Sequence, residues 1–241
     1  MGLPMALKPA AKPYNIHDYD VPLTTVDSVL FTVHCGQLKV LLVKRGEEPF
    51  AEQWALPGGF IDLGLDLSLE ACAVRKLREK TGISPPYVEQ LCSIGGADRD
   101  PRGWSVTVVF YALVDHAACE PHVGSVVEVQ WHDVDVLKAE EIAFDHFEIL
   151  QKALERLRQK ALYSIVPVYA LPNEFTLSEL QGLHEVILGA SLQRKSFQRR
   201  IEHAGLLEDT GKMTDARGRP AKLYRAKAES RNYRFVRNLE G

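Results

Sequence analysis

The sequence predicts an α/β (α+β) domain, with a mixed sheet flanked by helices, followed by a smaller α+β domain made of a helix-turn-helix and a β-hairpin wing. Three observations carry that expectation. Between residues 26 and 132, β-rich apolar runs surround one strongly periodic helix, the pattern of a mixed α/β layer. A Thr-x-x-Glu capping box at Thr176–Glu179 opens a second block, in which two short helices precede further strands. The charge also changes sign along the chain: the 241 residues carry a net −3, but residues 161–241 sum to +4 and the preceding ones to −7.

The elements follow in order. Residues 1–21 lack a signal-peptide core and read as a flexible tail. The first domain is expected over 22–160 and the second over 161–241. Residues 26–34 (VDSVLFTVH) and 38–45 are strands split by a turn at Cys35-Gly36-Gln37. WALPGGF (54–60) is a loop. From Ser68 to Lys80 the residues Leu69, Ala73 and Leu77 recur every four positions, so this stretch is helical, and Thr81-Gly82 ends it. Residues 104–114 and 126–132 are further strands. From Ala143 to Ala161, Phe147, Leu150, Leu154 and Leu157 form a narrow apolar stripe on a long helix, which packs on its own domain or on a partner chain. SIVPVYALPNEF (164–175), with two prolines and no strong period, is the expected junction. Beyond it a helix runs from the capping box to about Leu188, and a second spans about Leu192 to His203 with Phe197 and Ile201 on its apolar side. A strand begins at Leu206-Leu207, and DARGRPAKLYRAK (215–227) is a basic loop leading into another. Helix, turn, helix and a basic hairpin make a winged-helix pattern.

Composition narrows the function. At 46% hydrophobic and 25% charged, the chain has the balance of soluble globular protein, and no run of about 18 apolar residues is present to span a membrane. Cys35, Cys72, Cys92 and Cys119 are scattered with no C-x-x-C pair, which suggests neither a zinc site nor a disulfide framework and fits a reduced, cytoplasmic location. Between Ser191 and Arg237 there are 13 basic and 5 acidic residues, a net of +8 that suits a polyanionic partner or a solvated charged face.

The stretch GGFIDLGLDLSLEACAVRKLREKTGI (58–83) carries the chemistry. It resembles the Nudix box, G-x5-E-x7-R-E-U-x-E-E-x-G-U with U apolar. In that pattern helical glutamates three and four residues apart hold Mg²⁺, which activates water against a pyrophosphate. Aligned back from Thr81-Gly82-Ile83, Arg75 takes the Arg slot, but the three helical carboxylate slots hold Lys76, Glu79 and Lys80. The segment is also two residues longer than the pattern, so the early Glu slot falls on leucine. Two ammonium groups in place of two carboxylates change the local charge by about four units. The expectation is a pocket that holds a nucleotide diphosphate on lysine point charges, with no catalytic residue and no metal. The alternative for Lys76, Glu79 and Lys80 is a salt-bridged solvent face.

Taken with WALPGGF (54–60), RDPRGWSVTV (99–108), AFDHFEIL (143–150), RKSFQRRIEHAGLLEDTG and RGRPAKLYR, the lysine-substituted box is similar to those of the Nudix-related transcriptional regulators of bacterial NAD metabolism. The resemblance covers nearly the whole chain after the tail. It implies a Nudix-fold domain joined to a winged helix, a repressor of NAD synthesis and salvage genes, and release of the operator by ADP-ribose or a related nucleotide, with no required cofactor. It places nucleotide contacts at Arg45 and Trp54, at Gly58, Gly59 and Phe60, at Arg75, Lys76 and Lys80, at Arg99 and Arg102, and at Asp145 and His146. For the last pair a helix cap is the alternative. DNA contacts are expected from Lys195, Ser196, Arg199 and Arg200 on the second short helix, and from Arg217, Arg219 and Lys222 on the wing. A palindromic operator would require a homodimer, for which the Phe147–Leu157 stripe is a candidate contact. The rival reading is an active ADP-ribose pyrophosphatase with an accessory C-terminal domain.

Overall fold

The computed structural model describes residue 15 and residues 18–117, 119, 123–214, 220–228, 230 and 235. Arg217 and Arg219, expected on the wing, lie outside these residues, as does most of the expected tail.

β1 (Leu23–His34) and β2 (Gln37–Arg45) form an antiparallel hairpin. Its turn has two residues, Cys35 and Gly36, with φ of 52° and 74°, the primed geometry that follows strand twist. Gln37 belongs to β2. The short β3 (Trp54–Ala55) and β4 (Gly58–Phe60) stand where the sequence predicts a loop. β5 (Glu89–Gly96), β6 (Ser105–Leu113) and β7 (Val126–Asp133) complete a seven-stranded sheet ordered β3-β2-β1-β6-β5, with β4 paired to β1 and β7 to β2. β1 and β6 run parallel, from Leu23↔Ser105 to Phe31↔Leu113, while β1–β2, β1–β4, β2–β3, β2–β7 and β5–β6 are antiparallel, so the sheet is mixed.

Alternation along β1 and β2 feeds two cores. On one face Leu30, Leu41 and Val43 pack with Leu77 of α1 (Leu69–Thr81), while Val26 packs with Cys72 and Ala73. The Ser68 hydroxyl accepts from Ala71 N at 3.1 Å to open α1 and Gly82 closes it. On the other face Val29, Phe31, Val40 and Leu42 meet Ile149, Leu150, Ala153, Leu154 and Leu157 of α2 (His146–Tyr163). The α2 stripe is thus spent inside its own chain, where each buried leucine contributes about 1.5–3 kcal/mol. Phe147 is half-buried against the same cluster. Of the two expected placements, the Phe147–Leu157 stripe takes packing on its own domain, which corrects the candidate contact with a partner chain.

Much of the expected junction is buried, with Pro172 and Asn173 exposed. Val166–Ala170 form a 3₁₀ turn whose Ala170 joins the α2 core, while Ile165 and Val168 enter the core of the C-terminal block. α3 (Leu177–Leu188) opens with the expected capping box, the Thr176 hydroxyl accepting from Glu179 N and the Glu179 carboxylate from Thr176 N. Its Leu183 and Ile187 lie in the α2 core and its Leu180 in the C-terminal core, so α3 spans the two. α4 (Arg194–Ala204) buries Phe197 and Ile201, as its periodicity predicts. β8 (Leu207–Met213) and β9 (Lys222–Ala226) pair antiparallel, and Phe175 exchanges two backbone hydrogen bonds with Tyr224, so the junction segment adds to the hairpin's edge.

Candidate functional site

A cavity of about 250 Å³ opens where α1, the end of β2, β4, the loop from β5 to β6 and the start of α2 converge. Nine of the twelve expected nucleotide-contact residues line it: Arg45, Gly58, Gly59, Phe60, Lys76, Lys80, Arg99, Arg102 and His146. Trp54, Arg75 and Asp145 do not.

The floor is built on Asp27, buried on β1, whose Oδ2 accepts from the Thr107 hydroxyl at 2.7 Å. Arg99 Nη2 stands 3.9 Å from the same oxygen and His146 Nε2 3.7 Å from it. His146 Nδ1 accepts from Leu56 N at 3.0 Å, which leaves the ring proton on Nε2, facing Asp27. Burial holds this histidine neutral despite the attraction of Asp27. Gly58 allows the close approach of β4: a Cβ there would fall 2.1 Å from Asp27 Oδ1 and 2.4 Å from the Val26 carbonyl oxygen. Gly59, at φ 151°, lies against the Lys76 stem and adopts backbone angles that a side chain disfavours.

α1 contributes Lys76 and Lys80 to this cavity. Burial pushes the Lys80 ammonium down to about 8; Asp27 opposes that shift, and Lys76 and Arg45 add to it. Of the remaining box residues, Glu79 stays 3.8 Å from Lys76 Nζ, part of the expected salt-bridged alternative, and Arg75 turns away. Arg75 donates to Asp66 from Nε at 2.7 Å and from Nη2 at 2.5 Å, and reaches Glu79 from Nη1 at 2.9 Å. These hydrogen bonds hold the Asp66 carboxyl well below the usual carboxylate range. Asp66 lies in the stretch that exceeds the box pattern by two residues, and the loop Asp62–Asp66 folds back to place it there. Arg75 is therefore engaged in an ion-pair network with Asp66 and Glu79 and does not line the cavity. Among the described residues, no group of three or more His, Cys, Asp or Glu is arranged to hold a metal.

The mouth is aromatic and guanidinium-rich. Arg102 is held in place by a bidentate pair with Asp100, at 2.9 and 2.7 Å, and stacks over Phe60 at 5.0 Å. Arg45 stacks over Phe144 at 4.9 Å, and Phe144 itself sits at φ 57°. Sequence reasoning passes over Phe144, Asp27 and Asp100. Phe144 and Asp27 lie in runs that read as helix and strand, and only the positive φ and the burial mark them. Asp145 takes the N-cap position of α2 but makes no side-chain cap; it pairs with Arg99 at 2.9 and 3.0 Å. Trp54 packs edge-on against His132, away from the cavity.

A larger cleft of about 630 Å³ lies between Gly82–Pro86, the junction segment and residues after β9. Its Lys227 is engaged by the Gly205 carbonyl and its Asp115 by His116 N, so it gathers no cluster of free cations among the described residues.

In the C-terminal block, Lys195 and Arg199 are exposed one turn apart on α4, Ser196 and Arg200 are half-buried beside them, and Ser196 N donates to Gln193 Oε1. Lys222 opens β9 and pairs with Asp209 at 2.8 Å.

Comparison with known proteins agrees with this fold. Residues 24–153 match the NUDIX domain family, and residues 167–226 match the NrtR DNA-binding winged helix domain. The chain is 45% identical over 227 residues to the ADPR responsive transcriptional repressor NtrR of Acinetobacter baylyi, covering 94% of this chain and 91% of that one. The crystal structure of Shewanella oneidensis NrtR complexed with a 27mer DNA superposes with a TM-score of 0.84 at 55% identity, over 90% of this chain and all of that one. The NUDIX domain of the same protein, in complex with ADP ribose, gives a TM-score of 0.57 at 50% identity, over 60% of this chain and 94% of that one.

Proposed function

The chain belongs to the NrtR family, a Nudix domain joined to a winged helix, and on that premise we propose that it is a DNA-binding transcriptional repressor of NAD synthesis and salvage genes, released from its operator by ADP-ribose. The Nudix-like sensing domain spans 22–160 and the winged helix 161–241, and the protein acts in the cytoplasm as a homodimer on a palindromic site. ADP-ribose is the effector because the A. baylyi relative is named for its response to it and the S. oneidensis domain was solved with it.

The observation that carries a binding, non-hydrolytic pocket is the pair Lys76 and Lys80 on the cavity face of α1. A hard divalent cation needs several oxygen ligands, and here α1 offers two ammonium groups while Glu79 is engaged by Arg75. The donor set does not fit Mg²⁺. The lysines and Arg102 neutralise the pyrophosphate directly, and the Phe60 and Phe144 rings take up the flat nucleobase. Without a metal-bound water the diphosphate stays intact, which disfavours the pyrophosphatase reading.

Coupling to DNA runs through α2. Its first turn carries His146 at the cavity floor, and the segment after its last turn carries Ile165 and Val168 into the winged-helix core. Ligand releases the operator only if it binds better to the arrangement that misplaces the two α4 helices of the dimer. The test is fluorescence anisotropy on a duplex that the protein selects from a random library. Added ADP-ribose should lower the anisotropy to that of free DNA, and an unchanged signal at saturating ligand would exclude ADP-ribose as the releasing signal.

A further inference from the structure

The cations of the C-terminal block are of two kinds. On α4, Arg194, Lys195 and Arg199 make no ion pair with an acid among the described residues. On the hairpin the described basic side chains, Lys212, Lys222 and Arg225, are already engaged. Lys212 of β8 donates to both oxygens of Glu174, at 2.9 and 3.0 Å, and Arg225 of β9 reaches the same carboxylate at 3.1 Å. Glu174 thus straddles the two strands from outside the hairpin. It is only 24% exposed, whereas Lys212 and Arg225 are 62% and 44% exposed. The two cations draw its carboxyl below the usual range, Lys212 most strongly.

The position of Glu174 matters as much as its charge. The next residue, Phe175, is locked to Tyr224 by two backbone hydrogen bonds and is buried in the winged-helix core. The preceding Leu171–Asn173 line the cleft against the Nudix domain. Glu174 is therefore the one acid on the segment joining the domains that, among the described residues, reaches over both wing strands.

We propose that Glu174 is a latch that competes with DNA phosphates for Lys212 and Arg225 and so sets how well the wing discriminates operator from unrelated DNA. This rests on the reading of the C-terminal block as the DNA-contacting half. On unrelated DNA, where α4 finds no base partners, the phosphates must displace the carboxylate to use these cations, and binding stays weak. On the operator, α4 contacts hold the wing against the backbone long enough for the exchange. Removing the charge frees about one further positive charge for phosphate. In the counterion-release relation that steepens the log K against log salt slope by about 0.9 and raises affinity about eightfold at 0.1 M salt.

The experiment is a salt titration of DNA binding by full-length wild type, Glu174→Gln and Glu174→Asp, on a selected operator and on an unrelated duplex of equal length. Glu174→Gln should bind unrelated DNA several-fold tighter with a steeper slope and gain less on the operator, so that the ratio between the two falls. Glu174→Asp should return toward wild type. A merely structural glutamate would lower operator binding when changed and leave the slope alone, and either result overturns the latch. Wild type that binds neither duplex would instead overturn the DNA-binding reading beneath it.

Discussion

Raising the pH from 7 to 10 should weaken ADP-ribose binding through Lys80. This ammonium lies in the cavity beside Lys76 and Arg45, and burial brings its titration down to about 8 from an ordinary 10.5. If the pyrophosphate is held by the charged form, affinity is flat below that point and falls by about tenfold for each pH unit above it, because the free protein must first take up a proton. At pH 9 the dissociation constant should be about ten times its value at pH 7. Isothermal titration calorimetry in buffers of different ionisation enthalpy measures both the affinity and the proton taken up. Lys80→Arg supplies the control, since a guanidinium stays charged throughout and should give a flat profile. The apoprotein's stability moves the opposite way. Between about 8 and 10.5 the unfolded chain binds the extra proton, so this group's contribution to stability rises with pH across that window. A flat affinity profile in wild type, or an equal fall in Lys80→Arg, would refute the role assigned to Lys80.

Other perturbations have equally definite outcomes. Gly58→Ala sets a methyl against a fixed backbone oxygen and the Asp27 carboxylate, so about 3 kcal/mol of stability should be lost and the melting temperature should fall by about 6–12 °C; a change of under a degree would contradict the close approach of β4 to β1. Arg99→Met strands Asp145 and weakens the support of Asp27, a loss of about 3–5 kcal/mol by thermal unfolding. Adding Asp145→Met should recover part of that stability but none of the ligand affinity, which separates the pair's structural role from binding. Arg199→Ala should cost at least tenfold in operator affinity while leaving the melting temperature and ADP-ribose titration unchanged. Retained DNA binding would move the interface off α4.

The parts of the fold that local chemistry controls are legible in the chain. Thr176 as a cap, the four-residue recurrence of α1 and the Phe197–Ile201 side of α4 all depend on neighbours within one or two turns. β5 escapes such reading because it is an edge strand: Glu89, Gln90 and Ser93 interrupt its apolar residues, and its partner β6 supplies the order. α2 starts at His146 and not at Ala143 because Phe144 sits at a left-handed φ of 57°, outside the helical range, while Ala143 N donates to Trp54 O, a long-range bond with no local signal. In the site, residue type identifies the cations but not their partners. Arg75 and Arg99 both read as phosphate contacts, yet Asp66 claims the first and Asp145 holds the second at the cavity edge. Such pairings depend on which loop folds back, and that is decided in three dimensions.

The most direct test of a sensing pocket without catalysis is calorimetric titration of ADP-ribose, once with Mg²⁺ and once with chelator, followed by analysis of the nucleotide in the same sample. Saturable binding of equal affinity in both, with ADP-ribose recovered intact, is the result expected from lysines that hold the pyrophosphate directly. Binding that requires Mg²⁺, or release of AMP, would show that Lys76 and Lys80 have not replaced the metal and that the pocket still hydrolyses its ligand.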